Sequence, residues 1–291
     1  MAAATQRRTG ATESGHHRAA MISAHDAHTT HALGPGTVVA LLLIAAVAAV
    51  YLVLAVQRSR EPRGWSLWRT ASFLTGIVLL VLAVTPALSP YPVGDFRGHM
   101  HQHLLLGMYA PLGLVLGAPI TLLLRSISPV HGRLIGRVLR SRPAHFLAHP
   151  VVALALSVGG LVALYFTPLY TATTTDEALH LLVHVHFLLA GCLFAWVIAG
   201  PDPAPHRPSV PVRLVVLGVA IAGHAVISQL MYAGIFVQIP VPTDQRQGAG
   251  ELMYYGGDIA ELLLAVALLL TWRPQRQPTR QIRTFAASAA T

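Results

Sequence analysis

Apolar and polar positions fall in long blocks along this chain, not in the short alternation of a half-buried strand or the one-face stripe of a soluble helix. Seven apolar runs stand out, at about residues 37–57, 67–88, 101–124, 149–167, 179–199, 212–238 and 250–272. Each is near the roughly 20 residues that cross a bilayer as a helix. The pattern therefore predicts an all-α polytopic membrane protein with seven transmembrane helices. The sixth run is long enough to tilt. Pro111 and Pro119 interrupt the third, which predicts a bend or broken turn whose freed backbone groups are met by neighbouring helices.

The polar blocks divide the chain into a histidine-bearing tail at 1–36, a helical domain at 37–272 and a basic tail at 273–291. The first tail carries His16, His17, His25, His28 and His31 without apolar periodicity and is expected to be disordered. It does not have the form of a signal peptide, because no apolar run precedes Thr37. Its histidines are either loose metal collectors or incidental residues of a solvated tail.

Composition sharpens the class. The chain is 54% hydrophobic and 11% charged, which excludes an ordinary soluble domain. A net charge of +9 raises nucleic-acid binding, but the basic residues are all arginines, set mostly between apolar runs. That is how a membrane protein marks its cytoplasmic side, so no nucleic acid is expected as a partner. Arg58, Arg60, Arg63, Arg69, Arg125, Arg133, Arg137, Arg140, Arg142, Arg207, Arg213 and the tail arginines from Arg273 share one side. Arg97 and Arg246 lie on the other with Asp95, Asp176, Glu177 and Asp244, which predicts an external N-terminus and a cytoplasmic C-terminus. Arg7, Arg8 and Arg18 run against that rule. The absence of lysine removes Schiff-base chemistry, and the single Cys192 removes a Cys-x-x-Cys site.

On the predicted outer side, His99-Met100-His101-Gln102-His103 opens the third run, and His180, His184 and His186 open the fifth. His99 with His103, and His180 with His184, are four residues apart and share a helix face, the spacing that lets two imidazoles hold one ion. His101 and His186 point elsewhere. The bland alternative is a set of interfacial histidines bound to water or headgroups. Further inside, His224, Ser228 and Met231 share a face of the sixth run, and Glu251, Tyr255 and Asp258 share one of the seventh. Asp258 would lie on the order of 12 Å from the outer end, and Glu261 deeper. A carboxylate there is a functional candidate because it must be paired, protonated or coordinating.

A set of ordered pieces carries a resemblance. The run from His99 to His103 leads into Ala110-Pro111, Leu116-Gly117-Ala118-Pro119 and Leu122-Leu123-Leu124-Arg125. His149-Pro150 and Pro168-Leu169-Tyr170 bound the fourth run, followed by His180, His184 and Phe187. Gly200-Pro201-Asp202-Pro203 and Asp244-Gln245 with Gly248 and Gly250 complete the series. Over about residues 37–272 the chain resembles the CtaG family of integral-membrane cytochrome c oxidase assembly factors. That resemblance implies a non-enzymatic protein of the bacterial plasma membrane, with cytochrome c oxidase subunits as partners and copper as cargo. The family's histidine pattern falls on His99, His103, His180 and His184. The chain departs from it where a Trp-His pair often precedes the proline of the fourth run, here Tyr165-Phe166-Thr167-Pro168, and it has extra histidines at His101 and His186.

The expected metal ligands are therefore His99, His103, His180 and His184, with His101, His186, His224, Glu251 and Asp258 in secondary roles. Met100, Met108, Met231 and Met253 would suit cuprous copper. Two other readings stay open: a haem-binding membrane electron carrier ligated by a histidine pair, and a proton or ion transporter built on His224, Glu251, Asp258 and Glu261.

Overall fold

The computed structural model describes residues 34–205 and 207–272, and every regular element among them is helical. The histidine-bearing first tail and the basic last tail lie outside the described residues, as does His206. Ten helices follow in order: α1 Pro35–Ser59, α2 Leu67–Val84, α3 Phe96–Ser126, α4 Pro129–Leu139, α5 Arg142–Leu147, α6 Pro150–Phe166, α7 Leu169–Thr173, α8 Glu177–Ala199, α9 Val210–Ala233 and α10 Thr243–Thr271. Six of these (α1, α2, α3, α8, α9 and α10) are long and apolar enough to cross a membrane. The remaining apolar run, α6, has 17 residues, or about 25 Å at the rise of an α-helix.

The helix ends differ from the apolar runs where local polar chemistry extends or stops a helix. Gly234, at φ 73°, ends α9 at Ala233, and the amide of Ile235 donates back to the Leu230 carbonyl, so the run predicted to 238 stops early. α10 begins at Thr243, two turns before its apolar run, because its polar first turns are still helical. α2 closes at Val84, ahead of Pro86.

α3 is broken in two places. Pro111 has no amide to give the Gly107 carbonyl, and the backbone over Leu105–Tyr109 widens into a π-helical turn before resuming at Ala110. The second break falls at Ala118, held left-handed (φ 52°, ψ 52°) ahead of Pro119. Neighbours satisfy the groups this exposes. The Tyr51 hydroxyl donates to the Gly117 carbonyl at 2.8 Å. Asp202 accepts from the amides of Ile120 at 3.0 Å and Thr121 at 2.7 Å.

Packing arranges α3, α8, α6, α9 and α10 as a closed ring, each against the next and α10 back against α3. α2 flanks α3 outside the ring, and α1 covers α2 and the last turns of α3. Close approach is made by glycine: a Cβ on Gly76 or Gly113 would stand within 3.0 Å of the facing backbone in the α2–α3 contact. Large apolar side chains remain exposed along α1, α9 and α10, the pattern of a bundle whose outer surface meets lipid.

Candidate functional site

Two helix starts place the histidines. Asp95 caps α3, its carboxylate accepting from the Arg97 amide at 2.8 Å and from the Arg97 guanidinium at 2.6 Å. That guanidinium holds the Asp95 carboxyl below its ordinary range. The Phe96 amide donates to Gln245 Oε1 of α10 at 3.1 Å, so α10 fixes the entry of α3. Asp176 caps α8 by accepting from the Leu179 amide. His99 and His180 then each lie three residues into their helices, and His103 and His184 seven.

The helices meet with a stagger of about one turn. His99 approaches His184, with ring centroids 6.5 Å apart and planes inclined by 28°. His180 and His184 lie 4.1 Å apart, edge to face. Phe96 stacks on His99 at 5.7 Å, Tyr170 meets it edge-on at 5.1 Å, and the Tyr165 hydroxyl lies 3.4 Å from His99 Nε2. A cleft of about 530 Å³, lined by His99, His101, His180, Tyr91, Tyr170 and Glu177 among others, opens above them. His103 sits a turn deeper, 5% exposed, against Phe187 at 4.5 Å, and neither ring nitrogen has a hydrogen-bond partner. A buried polar group left so costs about 1–3 kcal/mol.

The chemistry on offer is that of several imidazoles with free ring nitrogens around an aromatic-lined cleft. Bonds of about 2 Å from each nitrogen to one ion bring imidazole rings somewhat closer than the 6.5 Å that separates His99 and His184. Among the described residues no group of three or more His, Cys, Asp or Glu is placed to hold a metal ion.

Comparison with known proteins decides the family. The model of the cytochrome c oxidase caa3 assembly factor family matches residues 49–275. This chain belongs to that family. Uncharacterized proteins of Mycobacterium bovis and Mycobacterium tuberculosis are each 32% identical to it over 239 residues, covering 74% of this chain and 36% of theirs. A Mycobacterium leprae protein is 30% identical over 245 residues, covering 77% and 37%. The chain thus spans about a third of the length of these relatives. No solved structure matches it.

Within this family member the secondary candidates scatter. His101 lines the cleft and faces Tyr91 at 6.1 Å. His186 turns away toward α6, its Nε2 3.1 Å from the Leu156 carbonyl and seated over Gly160. Glu251 is exposed and Tyr255 is 66% exposed, so the acidic face read from the α10 spacing turns outward. Asp258 is half-buried and has no ion pair or side-chain hydrogen bond among the described residues. The carboxylate that turns inward is Glu261, 2% exposed, with its Oε1 2.7 Å from His224 Nδ1. This contact is close but poorly aligned: neither Glu261 oxygen has a hydrogen-bond donor in line, and His224 Nδ1 also faces the Ala220 carbonyl at 3.2 Å. The distance and burial establish the pairing. Beside it lies a cavity of about 30 Å³, the space of one water.

Met100, Met231 and Met253 are buried in one cluster with Tyr165, whose hydroxyl is 4.0 Å from Met100 Sδ. Met108 lines the small cavity beside His224 instead. Cys192 is a half-buried free thiol packed on the core. Sequence reasoning missed Tyr165 and Tyr170 as site residues. The available signal was the departure over Tyr165-Phe166-Thr167-Pro168, where Tyr165 proves to be fully buried against the cluster.

One contact sets the depth of the α3–α8 approach. Gly191 of α8 lies against the π turn of α3, where a Cβ would overlap the Gly107 carbonyl oxygen and stand 2.8 Å from Gly107 C and 2.9 Å from Pro111 Cγ. The carbonyl that Pro111 cannot bond thus lies at a place where the backbones of the two histidine helices are in close contact.

Proposed function

We propose that this chain takes part in assembly of a caa3-type cytochrome c oxidase by carrying copper on its clustered histidines and passing it to oxidase subunits. Copper is cargo here, and the mechanism is ligand exchange without bond-breaking chemistry. The observation that carries the reading is the approach of His99 to His184 at 6.5 Å with His180 beside them at the mouth of a cleft. Imidazole suits copper, and a site at a helix end is reachable by an acceptor in the same leaflet. His103, with both nitrogens free one turn below, supplies a further donor once the ion has entered. Buried thioethers at Met100, Met231 and Met253 make the surroundings compatible with the cuprous state.

We further propose seven spans, with α6 as the short one and the N-terminus outside, in the bacterial plasma membrane. The arginines of the α1–α2, α3–α4 and α8–α9 connections support that orientation, and it places the histidine cleft on the extracytoplasmic side.

Copper bound per protein, measured on the purified chain after loading and washing, tests the site. His184→Ala is expected to weaken copper binding by about 10- to 100-fold or more, because losing a direct ligand costs at least as much as losing an outer partner. His186→Ala, whose ring is turned to α6, is expected to keep the parent level. Equal copper in His184→Ala, His99→Ala and the parent would remove the site.

A further inference from the structure

The opposite end of the bundle holds a second cavity, of about 870 Å³, between the start of α2, the break in α3, the α8–α9 connection and the end of α10. Three guanidinium side chains line it, from Arg69, Arg207 and Arg213, with the hydroxyls of Thr121 and Ser209. Among the described residues its lining contains no carboxylate. Asp202, beside Pro201 of the lining, is already committed to the restart of α3, accepting from the amides of Ile120 and Thr121 and from the Thr121 hydroxyl. Among the described residues none of the three arginines makes an ion pair.

Arg213 is the telling member. It is 7% exposed; one amino group donates to the Ile198 carbonyl at 2.7 Å, and its buried Nε has no partner. A guanidinium in that position is costly without a counter-charge. Arg207 donates to the carbonyls of Gly200 and Asp202, which fixes its head at the rim without neutralising it. Val210 and Pro211 also line the cavity, so the positive end of α9 opens on it, and Ser209 at the cap position makes no side-chain bond to its own helix. Trp68 and Trp272 flank the opening, 74% and 54% exposed, as tryptophans do at the headgroup level of a membrane.

We infer that this cavity binds a phosphate group, either the headgroup of an anionic phospholipid or free phosphate. The planar arginine fork matches phosphate oxygens in geometry as well as charge. A basic pocket between helices, rimmed by tryptophan, is suited to an anionic headgroup. The volume falls in the range of pockets that enclose a ligand of headgroup size.

The test uses the full chain, purified in neutral detergent and stripped of lipid, with thermal unfolding and native mass spectrometry as readouts. Phosphatidylglycerol is expected to raise Tm by roughly 5 °C and to persist as a bound adduct, while phosphatidylcholine leaves Tm unchanged. Arg69→Gln and Arg207→Gln are each expected to lose about tenfold in phosphatidylglycerol affinity, and Arg213→Gln more. If Arg213→Gln does not fold, the two rim variants carry the result. A Tm rise with millimolar sodium phosphate that is absent in Arg69→Gln supports the phosphate site and identifies free phosphate as its source. Equal stabilisation by phosphatidylcholine, or an undiminished phosphatidylglycerol response in Arg69→Gln and Arg207→Gln, would overturn the inference.

Discussion

Gly191→Ala is the sharpest probe of how the fold sets the histidine geometry. The added methyl would overlap the Gly107 carbonyl oxygen and approach Gly107 C and Pro111 Cγ to 2.8 and 2.9 Å, where real Cβ contacts stay beyond 3.0 Å. Two of these neighbours are backbone atoms and the third belongs to a proline ring, so no flexible side chain can yield. α3 and α8 must separate by roughly 1 Å, and such overpacking costs about 1–3 kcal/mol. For a chain of this size that lowers Tm by roughly 3–10 °C. The same displacement lies between His99 and His184, whereas metal–nitrogen bonds tolerate only about 0.2 Å, so copper affinity should fall together with Tm. Gly218→Ala in α9 is the control: nothing lies within 4 Å of its Cβ position, and alanine there is expected to be neutral or mildly stabilising. Thermal unfolding and copper titration of the three proteins decide the matter. A Gly191→Ala protein as stable as the parent, with parent copper affinity, would refute the α3–α8 approach on which the site depends.

Three further predictions concern other parts of the same framework. Glu261→Ala removes a buried side chain beside His224 and leaves a void, and should destabilise by about 2–5 kcal/mol, whereas the double change His224→Leu with Glu261→Met, which refills the space with apolar groups, should recover most of that loss; unfolding midpoints of the single and double variants test it. Asp202→Ala removes the acceptor at the restart of α3 and should cost about 1–2 kcal/mol, read as a lower Tm, with Asp202→Asn intermediate. Asp95, held below the ordinary aspartate value of 3.8 by Arg97, gives a contribution that is full above about pH 4 and is lost as pH falls through its folded value. The stability gap between the parent and Asp95→Asn should therefore be constant from pH 5 to 7 and close under stronger acid.

Much of this protein was legible because bilayer physics acts on composition over long windows. A run of apolar residues with no lysine and few acids favours a helix with its backbone bonds satisfied internally, so the helical class and six helices long enough to cross a membrane follow from the residue string, while the run at 149–167 forms a shorter helix. The offsets of His99 and His103 in α3, and of His180 and His184 in α8, were equally local, because a four-residue spacing defines a helix face without reference to any partner.

What the string does not carry is which face meets which. The tertiary structure decided that α3 and α8 are staggered by a turn, so that His99, not His103, meets His184. It brought Tyr165 of α6 and Tyr170 of α7 to the same cleft from outside both histidine motifs. It also turned Glu261 inward to His224 while Glu251 faces out and Asp258 is half-buried, a difference among carboxylates that helix spacing alone does not reveal. The reason is physical: helix periodicity specifies side-chain direction relative to its own axis, while rotation and stagger between helices are set by where glycine, proline and carbonyl groups allow two backbones to touch. In this chain that place is Gly107 against Gly191.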